Sequence, residues 1–165
     1  VENPTVTLPT KFRVYVDTSA IGGCLEPQFA VDSKRLFELA RKGSLILVAS
    51  DVVFDELESA PPEVRDILAK MPSSAIERIV LTDEIVKVRD AYLRAGIVSE
   101  RWRDDATHVA AAAVARVDAI VSWNFRHIVR LDRIKAYNQV NVALGYGPLT
   151  ILSPREVQDV GLEET

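Results

Sequence analysis

Short apolar runs and longer segments with helical periodicity alternate along the chain. Phe12, Val14 and Val16 recur at every second position, as on one face of a strand. The uninterrupted apolar run 45–49 is typical of a strand that is buried on both faces. Three more short strands are predicted, at 76–81, 118–122 and 149–152.

Helices are predicted between these strands. The segment 29–42 has apolar residues at helical spacing: Val31, Leu36, Leu39 and Ala40. The segment 104–116 is mostly Ala and Val on every face, which predicts a helix that is buried against the sheet. Other helices are predicted at 51–58, 63–71, 83–95 and, in two pieces, 124–144. Strands that alternate with helices favour a parallel α/β sheet with right-handed crossovers.

Two short motifs predict changes of chain direction. The pair Gly22–Gly23 is typical of a turn after the first strand, and it lacks the Lys and Ser or Thr that a phosphate-binding loop requires. Ser153–Pro154 is expected to begin a final helical turn, because Pro suits the first helical position.

The chain of 165 residues fits one domain of ordinary size. We expect an N-terminal tail over 1–11, a single domain over 12–158 and a C-terminal tail over 159–165.

The longest apolar run, 109–115, is too short to cross a bilayer, and the first ten residues show no signal-peptide pattern. Because Cys24 is the only cysteine, no internal disulfide is possible, and we expect a cytoplasmic protein without membrane contact.

Acidic and amide side chains follow the predicted strands at separate places in the chain. Asp17 ends the first strand, Glu56 lies in the helix after the second, and Asp105 begins the Ala-rich helix. Asn124 comes soon after the strand at 118–122. Because the carboxyl ends of parallel strands share one edge of a sheet, these four side chains could converge there. Asp17 has a simpler alternative role as the N-cap of the next helix.

Convergence of these acids would require a counter-charge. Carboxylates a few ångströms apart repel one another by roughly 1–4 kcal/mol per pair at the usual effective dielectric constants. A divalent cation would remove that cost, and oxygen ligands favour Mg²⁺ or Mn²⁺. The net charge of −4 gives no global attraction for nucleic acid, so a polyanionic substrate would need local basic residues and a bound cation.

Four segments of the chain resemble the PIN-domain family of metal-dependent ribonucleases, and especially the VapC-like toxins of bacterial toxin–antitoxin pairs. Each segment contains one of the polar side chains named above. The segments are 14–20 with Asp17, 52–57 with Glu56, 105–112 with Asp105, and 119–126 with Asn124. In this order they extend the resemblance over nearly the whole chain, from about 12 to 157.

The resemblance implies a fold and a reaction. The fold would be a three-layer α/β/α sandwich with a mostly parallel central sheet. The reaction would be hydrolysis of phosphodiester bonds in single-stranded RNA, with a 5′-phosphate and a 3′-hydroxyl as products. The same resemblance implies a small antitoxin partner and a homodimer.

The resemblance also assigns roles to particular residues. Asp17, Glu56 and Asp105 would hold Mg²⁺ or Mn²⁺ and orient the attacking water. Thr18 or Ser19 would fix the Asp17 carboxylate or a metal-bound water.

Asn124 is a departure from the pattern of many family members, which have a fourth Asp at this position. An amide oxygen can coordinate a cation but brings no charge, so Asn124 would be a weak or outer ligand. A second hypothesis is therefore a PIN-like module with weakened catalysis that acts through protein or RNA binding. A phosphotransfer domain is not favoured, because Ser19 rather than Asp stands two residues after Asp17.

Three polar residues near these positions have structural interpretations. Asp104 is better suited to capping the Ala-rich helix than to binding the cation, a role assigned to its neighbour Asp105. His108, one turn after Asp105, is expected to be packed or hydrogen-bonded rather than part of the site. Asp118 begins a strand and is expected at the opposite edge of the sheet.

RNA contacts are predicted at the residues around Asn124: Trp123, Arg126, His127 and Arg130. Trp123 could stack on a base, although packing in the core is at least as well supported. Arg126, Arg130 and Arg133 have the spacing of a single helical face, which could bind phosphates or simply face solvent.

Overall fold

Five parallel strands form the central sheet of the computed structural model, which describes residues 2–4 and 11–157. The strands are β1 (Phe12–Val16), β2 (Leu45–Ser50), β3 (Ile76–Ile79), β4 (Ala119–Val121) and β5 (Ile151–Leu152). Their order across the sheet is β3-β2-β1-β4-β5, and every neighbouring pair is parallel. The predicted strands are therefore confirmed, most of them with shorter bounds.

Seven α-helices in the described residues pack around this sheet and complete a three-layer α/β/α sandwich. They are α1 (Thr18–Gly22), α2 (Ala30–Arg41), α3 (Asp51–Glu58), α4 (Pro62–Ala69), α5 (Asp83–Arg94), α6 (Arg103–Val114) and α7 (Leu131–Ala143). The predicted fold class is confirmed, with a sheet that is wholly parallel rather than mostly so.

The strand β1 lies at the centre of the sheet. Its residues Tyr15 and Val16 have no exposed surface. The chain proceeds from β1 to β2 and β3 on one side, and later returns to β4 and β5 on the other side. The carboxyl ends of β1 and β4 therefore form the topological switch point, which is where open α/β sheets bind their ligands.

The helix α6 is buried over most of its length. All residues from Ala106 to Ala113 are buried, and α3 and α5 pack on this helix. Four consecutive Ala residues, 110–113, leave little side-chain bulk, so neighbouring backbones can approach closely. The prediction of a buried Ala-rich helix is confirmed.

The Gly22–Gly23 pair does not form the predicted turn. Gly22 ends α1, and Gly23 begins a 3₁₀-helix over Gly23–Leu25, so the chain continues on a helical path. A Cβ atom at Gly23 would lie 2.5 Å from Nε1 of Trp123 and 2.6 Å from Oγ of Ser33. The reason for glycine at position 23 is therefore close packing, and not a reversal of the chain.

Val31 does not belong to the buried face of α2, contrary to the predicted pattern. It is 78% exposed, whereas Ser33, two residues later and on the opposite side of the helix, is fully buried. The small hydroxyl of Ser33 fits the core because it donates a hydrogen bond to the backbone oxygen of Ala20.

Only the second of the two helical pieces predicted over 124–144 is an α-helix. The segment 124–130 forms turns, because the side-chain oxygen of Asn124 accepts hydrogen bonds from the backbone N–H groups of Arg126 and His127. Arg126 and Arg130 therefore precede α7, and the single helical face predicted for them with Arg133 is wrong.

The predicted tails over 1–11 and 159–165 lie largely outside the described residues. The predicted final helical turn is confirmed as a 3₁₀-helix at Pro154–Glu156, with a capping box between Ser153 and Glu156. Within 2–4 and 11–157, no helix combines the length and the apolar character that crossing a membrane requires.

Gly23→Ala should lower the free energy of unfolding by roughly 1–3 kcal/mol, because the added methyl group overlaps the Trp123 ring and the Ser33 hydroxyl. Urea unfolding measures the change. Gly22→Ala is the matched control: a Cβ atom there meets nothing within 4 Å, and we expect equal or slightly higher stability. Equal stabilities of the two variants would contradict the packing role of Gly23.

Candidate active site

Asp17 lies at the carboxyl end of β1 and is also the N-cap of α1. Its Oδ1 accepts hydrogen bonds from the backbone N–H of Ala20 at 3.0 Å and from the hydroxyl of Ser19 at 2.7 Å. Its Oδ2 accepts a hydrogen bond from the hydroxyl of Ser122 at 2.5 Å. The capping role weighed from the sequence is therefore present, and it coexists with a position at the switch point of the sheet.

The carboxyl group of Asp17 is withdrawn from water, with only 4% of the residue exposed. Burial raises the pKa of Asp17 above its ordinary value, although the charge of His108 and the hydrogen bonds from Ser122 and Ser19 act in the opposite direction. Ionised Asp17 therefore destabilises the fold, and a nearby cation would remove part of that cost.

Glu56, on α3, is held by the imidazole of His108 on α6. The Nε2 atom of His108 donates to Oε1 of Glu56 at 2.6 Å. Nδ1 of the same ring lies 2.7 Å from the hydroxyl of Tyr15, and that hydroxyl lies 2.7 Å from the hydroxyl of Ser50. This buried series of hydrogen bonds sets the orientation of the Glu56 carboxylate.

His108 lies among the three predicted acids. Burial alone lowers the pKa of its imidazole, but the hydrogen bond to Glu56 and the negative charges of Glu56, Asp17 and Asp105 together raise it above the ordinary value. The structure thus brings acids from three distant parts of the chain to one region around His108. The expectation that His108 is packed and hydrogen-bonded agrees with this geometry, and one of its hydrogen bonds is to a predicted site acid, Glu56.

Asp105, in the first turn of α6, is held by His127. Nδ1 of His127 lies 2.8 Å from Oδ2 of Asp105. The Trp102 ring packs on the imidazole with 4.5 Å between ring centroids, and the Tyr137 hydroxyl donates to the backbone oxygen of His127 at 2.9 Å. The Asp105 carboxylate is therefore positioned by a rigidly held histidine.

Asn124 connects the two sides of the site. Its Oδ1 accepts from the backbone N–H of His127 at 2.9 Å, and its own backbone N–H donates to Oγ of Ser122 at 2.9 Å. Ser122 bonds Asp17, and His127 bonds Asp105. The side-chain oxygen of Asn124 is therefore engaged with backbone donors in this arrangement.

The donors of the site are of the type that a hard divalent cation prefers, but the side chains as they stand do not form a metal-binding cluster. Asp17, Glu56 and Asp105 offer carboxylate oxygens, and the burial of Asp17 favours a counter-charge. Across residues 2–4 and 11–157, however, no three His, Cys, Asp or Glu side chains stand close enough together to hold a metal ion. Binding of one cation by all three carboxylates would therefore require side-chain movement.

The two hydroxyl groups expected to support Asp17 differ in their contacts. Ser19 bonds the Asp17 carboxylate, whereas Oγ1 of Thr18 is buried and has no hydrogen-bond partner among the described residues. Asp104 is exposed and is not the N-cap of α6, because that helix begins one residue earlier, at Arg103. The capping role expected of Asp104 is therefore wrong.

Two of the residues predicted to contact RNA are largely buried. Trp123 stacks on Phe29 with 4.2 Å between ring centroids, and its Nε1 donates to the Ser33 hydroxyl at 2.8 Å. His127 is buried against Trp102 and bonds Asp105. Both side chains are therefore parts of the framework around the site.

The two arginines predicted to contact RNA are exposed. The guanidinium of Arg126 lies 5.5 Å from the centroid of the Trp102 ring. Arg130 donates two hydrogen bonds to Asp132, which directly neutralise part of its charge. Arg126 is consequently the better placed of the two for a phosphate near Asp105.

Sequence reasoning did not identify Ser122, Ser50 and Tyr15 as parts of the site. The pairing of β1 with β4 is the signal that identifies Ser122. Val16 pairs with Val121, so Asp17 and Ser122, the next residue after each strand, lie side by side. Asp118 behaves as predicted, since its Oδ2 accepts from the backbone N–H of Arg13 near the amino end of β1.

A family model described as a PIN domain matches residues 13–126, which is more than half of the chain. The chain therefore belongs to the PIN-domain family, a family of nucleases. No curated protein sequence matches it.

Two solved structures share the fold. VapBC2 from Rickettsia felis, solved bound to a DNA fragment from its promoter, has a TM-score of 0.57 and 14% identity, covering 86% of this chain and 98% of that chain. Mycobacterium tuberculosis VapC20, a sarcin–ricin loop cleaving toxin, has a TM-score of 0.54 and 16% identity, covering 69% of this chain and 92% of that chain. At such identities the similarity shows a common fold.

Asp17→Asn should raise the stability of the metal-free protein by about 1 kcal/mol near neutral pH, because the variant buries no charge. Since the folded-state pKa of Asp17 is raised, the contribution of this residue to wild-type stability falls as the pH rises from its unfolded-state pKa through its folded-state pKa. The advantage of the variant should therefore vanish in acid. Urea unfolding in EDTA at several pH values measures the difference.

Asp55→Asn is the control for this measurement, because Asp55 is an exposed acid next to Glu56. We expect its stability to equal that of the wild type at each pH. A less stable Asp17→Asn variant at neutral pH would contradict the account of Asp17 burial.

Proposed function

We propose that this chain is a metal-dependent endoribonuclease that hydrolyses phosphodiester bonds of single-stranded RNA, as the toxin of a type II toxin–antitoxin pair. The observation that carries the proposal is the hydrogen bond between Glu56 and His108, whose imidazole also interacts electrostatically with Asp17 and Asp105, in a chain of the PIN-domain family. VapC20, which is similar in fold, is described as a sarcin–ricin loop cleaving toxin, and this description supports the proposal.

Asp17, Glu56 and Asp105 would hold Mg²⁺ or Mn²⁺. Such an ion, when bound, polarises a phosphoryl oxygen and lowers the pKa of a coordinated water. His108 occupies only Oε1 of Glu56, and His127 occupies only Oδ2 of Asp105, among the contacts of the described residues. The second oxygen of each carboxylate is therefore available to a ligand.

The surrounding side chains would keep these acids in position during the reaction. Ser19 and Ser122 orient Asp17, while His108 and His127 orient the other two acids. The carboxylates orient a water molecule, whose oxygen bonds to phosphorus as the bond to the 3′ oxygen breaks. The products would be a 5′-phosphate and a 3′-hydroxyl.

Exposed arginines beside the site would attract the RNA backbone despite the net charge of −4. The guanidinium groups of Arg101 and Arg126 lie 5.0 Å and 5.5 Å from the centroid of the Trp102 ring. Trp102 packs on His127, which holds Asp105. Positive charge is thus concentrated next to one of the proposed metal ligands.

We also propose the partners that a toxin of this kind requires. Residues 12–158 would act as one catalytic domain in the cytoplasm, would form a homodimer, and would be inhibited by a small antitoxin protein. The similarity in fold to VapBC2 and VapC20 supports this part of the proposal.

A second candidate function is a PIN-like module with weakened catalysis that acts through protein or RNA binding. Asn124 favours this function. Its side chain has no charge, and its side-chain oxygen already accepts hydrogen bonds from two backbone N–H groups. A metal titration separates the two functions, because a site without Mn²⁺ affinity leaves only the binding role.

Asp17→Asn should abolish Mn²⁺-dependent cleavage of single-stranded RNA and weaken Mn²⁺ binding while the fold is retained. The reason is the loss of one of the three carboxylates available to the cation. Cleavage assays, calorimetric Mn²⁺ titration and circular dichroism measure the three properties. Asp55→Asn is the control, because this exposed acid should leave all three unchanged.

Two outcomes of this experiment would be decisive against the proposal. An Asp17→Asn protein as active as the wild type would show that the site is assigned wrongly. A wild-type protein that neither binds Mn²⁺ nor cleaves RNA would leave the binding module as the better hypothesis.

Asn124→Asp should preserve or raise Mn²⁺-dependent cleavage. The substituted carboxylate can still accept the hydrogen bonds from the N–H groups of Arg126 and His127, and it adds a charge that tightens the cation. Activity and Mn²⁺ affinity are measured in parallel with the wild type. Loss of metal binding in a folded Asn124→Asp protein would show that Asn124 has another role.

A further inference from the structure

A concave cavity of about 390 Å³ lies beside the turn that contains Asn124. Aromatic and aliphatic side chains and one arginine line it: Phe29, Trp123, Phe125, Val129 and Arg155. We propose that this aromatic pocket is a subsite that binds one unpaired base of the RNA substrate beside the cleaved bond. The inference rests on the proposed function, since it assumes that RNA is the substrate.

One residue that lines the aromatic pocket, Trp123, is hydrogen-bonded to the candidate active site. The backbone N–H of Trp123 donates to Oγ of Ser19 at 2.9 Å, and Ser19 in turn donates to Asp17. Trp123 also directly follows Ser122, the second hydroxyl donor to Asp17. One wall of the pocket therefore lies at the carboxyl end of β4, the neighbour of the strand that ends just before Asp17.

The back wall of the aromatic pocket is preformed. Trp123 is fixed by its stack on Phe29 and by the hydrogen bond from its Nε1 to Ser33. The packing against Gly23 leaves no space for the ring to move inward. A ligand would thus find an ordered wall, which reduces the entropy lost on binding.

Phe125 provides the accessible stacking surface. Its ring lies 6.0 Å from that of Trp123 in an edge-on arrangement, and the residue is 49% exposed although the other aromatic residues nearby are packed. Unpaired bases of single-stranded nucleic acid stack on such aromatic side chains. Phe125 stands one residue after Asn124, whose backbone N–H donates to Ser122, a hydrogen-bond partner of Asp17.

The charges at the aromatic pocket favour a base inside it and a phosphate outside it. Arg155 has a largely exposed side chain whose only hydrogen bond to a side chain within the described residues is a long one to Asp32, at 3.4 Å. It can therefore contact the phosphate of the bound nucleotide. The carboxylate of Glu156 also lines the cavity and would repel a phosphate placed within it.

The test compares RNA binding by full-length proteins that all contain Asp17→Asn, so that the RNA stays intact. The probe is a fluorescently labelled single-stranded oligoribonucleotide that the wild type cleaves, and anisotropy gives the affinity. Phe125→Ala should weaken binding by roughly 5- to 100-fold, the effect of losing one stacked base. Leu144→Ala is the matched control, because Leu144 is 48% exposed and does not line the pocket, and it should bind RNA normally.

A second series replaces single bases of the oligonucleotide by abasic residues. At one position, the abasic residue should weaken binding of the oligonucleotide to the parent protein and to Leu144→Ala. It should not weaken binding to Phe125→Ala any further, because this variant already lacks the stacking contact. Equal losses for all three proteins would show that Phe125 does not bind a base and would overturn the proposal.

The failure of this inference can be distinguished from failure of the proposed function. If the wild type cleaves RNA while Phe125→Ala and Leu144→Ala bind it equally, the base subsite is wrong and the nuclease function stands. If the wild type neither cleaves nor binds RNA, both proposals fail. If Phe125→Ala leaves RNA affinity intact but weakens self-association or binding of a protein partner, the pocket is a protein interface and the base subsite is again wrong.

Discussion

The cost of withdrawing carboxylates from water is the constraint on which the candidate site depends. Asp17 shows it most clearly, because burial raises its pKa. The protein offsets this cost with one set of donors for each acid: hydroxyls for Asp17, and an imidazole each for Glu56 and Asp105. Neighbouring side chains hold these donors in place: Tyr15 bonds His108, and Trp102 packs on His127. A donor that moved away would leave a buried charge without a partner.

The elements that could be predicted from the sequence are those whose signal is local. Period-two alternation marked β1, and an unbroken apolar run marked β2, because each strand is buried in a parallel sheet. The position of Asp17 followed from the abrupt end of β1. Parallel topology then gave the shared edge, which is why acids far apart in sequence could be expected in one region.

The features that could not be predicted depend on contacts between distant residues. Gly22–Gly23 has the composition of a turn, yet the reason for Gly23 is the ring of Trp123, one hundred positions later. The turns at 124–130 have helical periodicity in sequence, but one side-chain oxygen of Asn124 binds two backbone N–H groups and prevents the helix. The pairing of Asp105 with His127 requires both α6 and these turns, so no local pattern contains it.

The two sides of the site rest on supports of unequal strength. Asp17 and the hydrogen-bonded series that ends at Glu56 are anchored to β1, the middle strand of the sheet, where opening requires nearly global unfolding. Asp105 is held by a histidine in a surface segment whose conformation depends on Asn124. Local opening of the turns at 124–130 would therefore release the Asp105 carboxylate from its imidazole partner, while Asp17 and Glu56 would keep theirs.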